Sequence, residues 1–502
     1  MAAPDAVTDT IAAISTPPGR GGIGIVRLSG PQAASIANLL VRPHQPLEHA
    51  HARLANVLDA DSAEAAPIDE ALVTFFAAPN SYTAEDLVEI AAHGSPVVLE
   101  LLLRRALEFG ARLAEPGEFT QRAFLAGRLD LTQAEAIRDL IDAQTLTQAR
   151  QAASQMGGAL SHRAAPAKQS LVELVALLEA GIDFAEDDVD VTPQAEIARR
   201  IDELTPPLAA LEASFARGRI VHDGLTLAIV GRPNVGKSSL FNHLVERDRA
   251  IVTAHPGTTR DLVTERISLG GIPIELVDTA GLREGHEGAQ GSLEEAEQLG
   301  IRRSREALAD AALVLIVLDA TQPLHDEERR MLAAVEGRPA LVAWNKCDLI
   351  GHAANELQAL KGHEFSGAEK PKESTMPSGA EGNISETLSE TKPSPEFYGV
   401  PALLTSALTG EGIALLRERI LTLATGGAAA EPGMLTNLRQ HQAITTALAA
   451  LADAAKANAG GIPHEMILLD LYRALYALDS LTGQTTPDDI LNLIFSTFCI
   501  GK

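Results

Sequence analysis

At 502 residues with 46% hydrophobic side chains, the chain is long enough for about three domains with true cores. Its 67 acidic against 41 basic side chains, a net charge of −26, argue against broad nonspecific nucleic-acid binding and leave room only for a local basic patch. Two cysteines, Cys347 and Cys499, exclude a disulfide framework and a cysteine zinc site. With no apolar run long enough to span a bilayer, the chain reads as soluble and cytoplasmic.

Residues 1–127 read as a mixed segment, with apolar runs at 23–28, 71–76 and 87–92 and a helical pattern over 97–109. The loop Thr16-Pro17-Pro18-Gly19-Arg20-Gly21-Gly22-Ile23-Gly24 lacks the lysine of a phosphate loop and, taken alone, predicts a tight turn. Eight arginines and no lysine against fifteen acidic residues give this segment a net of −7, so by charge it is no nucleic-acid platform. From 128 to 223 the composition shifts to Ala, Leu, Gln and Glu with helical spacing, as over 171–178, which predicts long amphipathic helices packed together. The acidic run from Asp183 to Asp190 lacks the glycine and terminal Glu of an EF-hand and reads as a solvated turn.

The most specific signal follows an apolar run at 225–230. Gly231-Arg232-Pro233-Asn234-Val235-Gly236-Lys237-Ser238-Ser239 has the spacing G-x-x-x-x-G-K-S between a predicted strand and a predicted helix. The glycines let backbone N–H groups face phosphate oxygens, Lys237 is placed to bridge the β- and γ-phosphates, and Ser238 to ligate Mg²⁺. Downstream, Gly257-Thr258-Thr259-Arg260-Asp261 offers the Thr259 hydroxyl as a switchable Mg²⁺ ligand. A strand at 274–277 ends in Asp278-Thr279-Ala280-Gly281, with Asp278 for Mg²⁺ and the Gly281 amide for the γ-phosphate. Two more apolar strands, 311–318 and 340–344, lead to Asn345-Lys346-Cys347-Asp348. A carboxylate there accepts from guanine N1–H and the 2-amino group, a pair adenine cannot offer, and Ser406-Ala407-Leu408 fits the last base-contacting loop. The set in this order reads as a P-loop GTPase domain with a doubly wound, mostly parallel sheet. Where Ras-type enzymes carry a water-orienting Gln, this chain has Leu282, so the hydrolytic residue must come from elsewhere; Glu294-Glu295-Ala296-Glu297 lies close along the chain but by itself reads as a solvated helix face.

Residues 351–396, rich in Ser, Gly, Pro, Glu and Lys, read as a mobile surface insertion. Helical patterns return at 434–459 and 463–481, so the GTPase domain is predicted to be inserted into a helical-bundle domain. The chain closes on Phe498-Cys499-Ile500-Gly501-Lys502. Gly501, Lys502 and the lack of a preceding basic run rule against a prenylation box, and hence against membrane anchoring. Spacing leaves open whether Cys499 is a buried packing thiol in a last helix or a functional one.

These motifs, together with Pro79-Asn80-Ser81-Tyr82-Thr83-Ala84-Glu85-Asp86, His93-Gly94, Pro116-Gly117-Glu118-Phe119-Thr120 and Arg128-Leu129-Asp130-Leu131, resemble the MnmE (TrmE) family of tRNA wobble-uridine modification GTPases over nearly the whole chain. The resemblance implies an α/β folate-binding N-terminal domain over 1–127 that dimerises. It also implies a helical domain over 128–223 and 430–502, and a GTPase domain over 224–429. It implies a homodimer that works with the flavoprotein MnmG (GidA) in a heterotetramer, using GTP, Mg²⁺, K⁺ and 5,10-methylenetetrahydrofolate (5-formyltetrahydrofolate as analogue) to add an aminomethyl or carboxymethylaminomethyl group at C5 of the tRNA wobble uridine. Carried over by position, Arg27, Glu89, Arg128 and Lys502 contact folate, Asn234 with Thr253, His255 and Thr258 hold K⁺, Glu297 orients the attacking water, and Cys499 is the tail cysteine. The nucleotide contacts extend over Thr253, Ala254, His255, Pro256, Gly257, Thr258 and Thr259. The chain differs from the family in extra residues around 285–292 and in Ala254-His255-Pro256, where backbone carbonyls can coordinate K⁺ whatever the side chain. The competing expectation is a ribosome-assembly or RNA-binding GTPase switch, which would share 231–408 but append a basic module that neither flank supplies.

Overall fold

The computed structural model describes residues 9–59, 66–183, 193–248, 263–278, 311–350, 396–427, 431–484 and 488–501. The chain divides into two compact units, one of residues 1–142, 150–215 and 432–502, the other of 143–149 and 216–431. The second unit thus interrupts the first in sequence, in keeping with an α/β plus α architecture.

In the first unit, β1 (Ile11–Ile14), β2 (Gly21–Ser29), β3 (Val41–Pro43), β4 (Ala52–Leu58), β5 (Pro67–Phe76), β6 (Leu87–Gly94) and β7 (Arg112–Leu113) form one sheet in the order β3-β4-β5-β6-β2-β1-β7. All neighbours are antiparallel except β1 and β7. Alternation decides the faces: Val26, Leu28, Val88 and Ile90 are buried in one core with Ile36 and Leu40 of the helix Ala33–Leu40 and Leu99 and Leu102 of the helix Pro96–Glu108. The intervening Arg27 and Glu89 therefore lie on the opposite face, directly paired across β2 and β6. The glycine-rich segment is only partly a turn, because β2 begins at Gly21, which pairs with Gly94.

Four helices, Ala159–Asp183, Gln194–Ala213, Leu438–Ala459 and His464–Thr482, share one core of Leu171, Leu178, Ile201, Leu208, Ile444, Leu451, Leu471 and Leu478. Leucine recurring every third or fourth residue presents one continuous apolar stripe per helix, which only a neighbouring helix can cover. The acidic run expected to be a solvated turn lies outside the described residues beyond Asp183.

In the second unit, β8 (Leu225–Val230), β9 (Val263–Leu269), β10 (Ile272–Asp278), β11 (Leu313–Asp319), β12 (Ala340–Asn345), β13 (Glu396–Phe397) and β14 (Val400–Leu404) run in the order β13-β14-β12-β11-β8-β10-β9. The central pairs are parallel and the two edge pairs antiparallel. β11 and β12 are buried at every position, as strands covered on both faces must be. Leu240 and Leu244 of the helix Lys237–Asp248 and Leu416 and Ile420 of the helix Ile413–Thr425 cover one face, and Leu332 of the helix Asp326–Ala334 joins the core on the other. This is the doubly wound, mostly parallel sheet expected from the motif order. The insertion expected at 351–396 lies outside the described residues up to 395.

Candidate functional site

The phosphate loop leaves the end of β8 and enters the helix Lys237–Asp248, so the backbone turns where the strand's carboxyl end meets a helix N-terminus. Asn234 takes a left-handed φ of 64°, a conformation asparagine tolerates better than most side chains, and Gly236 has φ 95°. A Cβ at Gly236 would lie 2.1 Å from Asn345 Nδ2, so only glycine fits there. Val235 is buried beneath the loop, and Ser238 and Ser239 stand exposed in the first helical turn. Lys237 folds back over the loop, its Nζ donating to the carbonyls of Gly231 (2.8 Å) and Arg232 (2.7 Å). Those carbonyls are neutral acceptors, so a phosphate entering the loop offers the ammonium a full ion pair in their place.

The base end is organised by Asn345, the last residue of β12 and 2% exposed. Its Nδ2 donates to the Val235 carbonyl (2.8 Å) and its Oδ1 accepts from the Ala407 amide (2.9 Å), so one side chain ties the phosphate loop to the loop of Ser406, Ala407 and Leu408. Ser406 shapes that loop by accepting from the amides of Leu408 (3.3 Å) and Thr409 (3.1 Å). Lys346, at φ 65°, extends its Nζ to Asp319 Oδ2 at 2.7 Å. Asp319 closes β11 and also accepts from the amide and hydroxyl of Thr321. Burial alone would raise its pKa, but the bonds from Lys346 and Thr321 outweigh it and hold the carboxyl below its ordinary value.

Asp348 lies in a single 3₁₀ turn, Cys347–Leu349. Its Oδ1 is buried and finds no hydrogen-bond partner among the described residues. A buried carboxylate oxygen left so is costly, and it fits a ligand that brings N–H donors, as guanine does. The neighbouring Cys347 thiol is pushed up in pKa, by burial first and then by the charges of Glu411 and Asp348, so it stays protonated.

Asp278 ends β10, where its backbone pairs with Ile229 of β8 and Val263 of β9. Thr253, Ala254, His255, Pro256, Gly257, Thr258, Thr259, Thr279, Ala280, Gly281 and Glu297 lie outside the described residues.

In the first unit, Arg27 and Glu89 meet as the register dictates. Arg27 donates from Nε (2.9 Å) and Nη2 (2.6 Å) to Glu89 Oε1. Its Nη1 donates to the carbonyl of Gly501 at 3.1 Å, bringing the C-terminal tail to the same guanidinium. The ring of Tyr82 lies 5.7 Å from that guanidinium and the ring of Phe119 5.6 Å, while Tyr82 Oη and Thr120 Oγ1 are bonded at 2.8 Å. Segments quoted separately from the sequence, those of Tyr82, of Phe119 and Thr120, and of Gly501, thus converge on Arg27. Arg128 is exposed, and among the described residues no hydrogen bond or ion pair ties its side chain to Arg27 or Glu89; Lys502 lies outside them. Cys499 is not a thiol buried in a last helix: the helix ends at Ser496, and Cys499 is exposed, its carbonyl accepting from the Gly117 amide at 3.3 Å.

Sequence reading missed two contributors. Asp319 carries a usable signal, a carboxylate at the carboxyl end of a parallel strand, where doubly wound sheets place their ligand sites. Ser15, whose hydroxyl donates to the Gly501 carbonyl at 3.1 Å, carries none, because its partner is 486 residues away.

The signature described as "MnmE helical domain" matches residues 131–499, and "GTP-binding protein TrmE N-terminus" matches 10–128. The chain is 54% identical to the tRNA modification GTPase MnmE of Koribacter versatilis, over 98% of this chain and 99% of that one. It is 41% identical to the protein of the same name in Chloroflexus aurantiacus, over 99% and 100%. Among solved structures, the G domain of the T. maritima FeoB iron transporter matches 40% of this chain and 98% of that chain at 25% identity, with a TM-score of 0.24, too low to support an argument.

Proposed function

The chain belongs to the MnmE family of tRNA modification GTPases, and on that premise we propose that it hydrolyses GTP in a potassium-dependent reaction coupled to modification of the tRNA wobble uridine. The single observation that carries the nucleotide reading is the buried Asp348 Oδ1, without a hydrogen-bond partner among the described residues, beside the bracket that Asn345 builds between the phosphate loop and the Ala407 loop. Guanine supplies the donors this carboxylate lacks. Lys237 would hold the β- and γ-phosphates, and Ser238, Thr259 and Asp278 would hold a Mg²⁺ that neutralises charge on the phosphate oxygens. Leu282 cannot polarise water; by its position in the family Glu297 would take that role, and Asn234, Thr253, His255 and Thr258 would hold a K⁺ that supplies the positive charge an arginine finger gives elsewhere.

The Arg27–Glu89 pair is the reading's second site. An arginine matches the carboxylates of a tetrahydrofolate, and Glu89, which uses only Oε1 for Arg27, keeps Oε2 for pterin N–H donors; Arg128 and Lys502 complete the proposed set. With the flavoprotein MnmG as partner and a second copy of the chain, the one-carbon unit is delivered to C5 of the wobble uridine as part of an aminomethyl or carboxymethylaminomethyl group. The test is GTP turnover in K⁺ against Na⁺ at matched ionic strength. Turnover should fall sharply in Na⁺; equal rates would remove K⁺ from the mechanism.

A further inference from the structure

The C-terminal tail is seated by a constellation that no helix-packing requirement demands. Phe495 in the helix Asp488–Ser496 and Phe498 just beyond it are buried with Leu131, Ala134 and Leu491, which anchors the chain. The next three residues are then bonded one by one to the segment just past β7, to Ser15 just past β1 and to Arg27 on the face of β2. The Cys499 carbonyl accepts from Gly117, Ile500 forms an antiparallel bridge with Pro116, and the Gly501 carbonyl accepts from both Ser15 Oγ and Arg27 Nη1, each at 3.1 Å. Gly501 has φ 91°, and a Cβ there would lie 2.8 Å from Ser15 Cα and 2.9 Å from the Ile14 carbonyl, so the tail passes where only glycine can. Ser15, the residue after β1, is itself fixed by its amide N–H donating to the carbonyl of Ile25 (2.8 Å) on β2, two residues from Arg27.

We propose that Ser15 is a positioning residue for the modification reaction: its hydroxyl and the Arg27 guanidinium jointly clamp the Gly501 carbonyl, and this clamp holds the tail that carries the exposed Cys499 in fixed register on Arg27. The inference rests on the one-carbon reading of that pair. It adds that tail and ligand share one guanidinium, so loosening the tail weakens the site. Arg27 keeps Glu89 and the tail in place together, whereas the Ser15 hydroxyl donates to the tail and not to Glu89.

The experiment uses the full-length protein as wild type, Ser15→Ala and Gly501→Ala. Hydrogen exchange of the peptide spanning 497–501 is measured beside 5-formyltetrahydrofolate affinity by calorimetry, GTP turnover, and wobble-uridine content in a complemented deletion strain. Ser15→Ala should exchange about fivefold faster at the tail, the size of one neutral hydrogen bond, and Gly501→Ala faster still. Both should weaken 5-formyltetrahydrofolate and lower tRNA modification, with GTP turnover and melting temperature held. Unchanged exchange in both variants overturns the clamp; faster exchange with normal ligand affinity and normal modification overturns its positioning role. A wild-type protein that does not bind 5-formyltetrahydrofolate overturns the one-carbon reading instead, and the exchange data then still decide the clamp.

Discussion

The nucleotide loops and the tail seat satisfy their polar groups in opposite ways. In the nucleotide site, Lys237 rests on carbonyls five and six residues away in its own loop, and Asp348 Oδ1 rests on nothing among the described residues. At the tail seat, Arg27 is already committed to Glu89 and to Gly501, 474 residues away. An ammonium resting on loop carbonyls, and a carboxylate oxygen with no donor among the described residues, are placed to take up a ligand that brings phosphate and N–H groups. Groups satisfied by one another hold pieces of the chain in place. The first arrangement suits binding and release in each GTP cycle, the second suits a site that must keep distant segments in register.

If that contrast is right, the largest effect comes from Lys237→Ala, which removes the ammonium that exchanges from backbone to phosphate. GTP turnover should fall by about a hundredfold or more, the scale of losing one preorganised charge-stabilising donor, as read by phosphate release. Next is Asn345→Ala, which leaves the Val235 carbonyl and the Ala407 amide buried without their partner. It should cost about 2–4 kcal/mol of stability in denaturant unfolding of the GTPase unit, because each stranded group keeps its desolvation penalty. Loss confined to GTP affinity, with stability unchanged, would show that Asn345 serves the ligand and not the bracket.

Asp348→Asn should be milder, weakening GTP about tenfold to a hundredfold, the worth of one to two charge-assisted hydrogen bonds. Because the amide adds a donor, the variant should gain affinity for xanthosine triphosphate, whose 2-carbonyl accepts; competition binding with the two nucleotides measures both. Glu297→Ala should instead spare binding and slow turnover, and weaker nucleotide affinity with normal turnover would remove its assigned role.

The smallest effect is a pH dependence. Asp319 has a folded-state pKa below its ordinary 3.8, so its stabilising contribution is complete above that value and fades as pH falls through the lower folded value. The stability gap between wild type and Asp319→Asn should therefore be flat near neutrality and close only below about pH 4. A gap that varies between pH 6 and 8 would assign the effect to another group.

The same contrast explains what the sequence could reveal. The phosphate loop, the Asn345–Asp348 segment and the Ser406 loop are runs of adjacent residues whose spacing encodes their chemistry, and buried strands such as β11 and β12 announce themselves as apolar runs. The short strands β13 and β14 give too few residues to show a period, and β9 went unread. Contacts made through tertiary structure leave no local trace: Lys346 reaches Asp319 across 27 residues and Ser15 reaches Gly501 across 486. Arg27 and Glu89 were reached only through family resemblance, and their pairing is a matter of register between β2 and β6. Spacing leaves the burial of Cys499 open because a helical pattern does not show that the helix stops at Ser496.

The most direct test of the central claim, that GTP turnover at this phosphate loop serves tRNA modification, is nucleoside mass spectrometry of wobble uridine. The tRNA is taken from a strain lacking the protein and complemented with wild type or with Lys237→Ala. The aminomethyl or carboxymethylaminomethyl group at C5 should disappear on deletion, return with wild type and stay absent with Lys237→Ala. Full modification in the deletion strain, or in the Lys237→Ala strain, would contradict it.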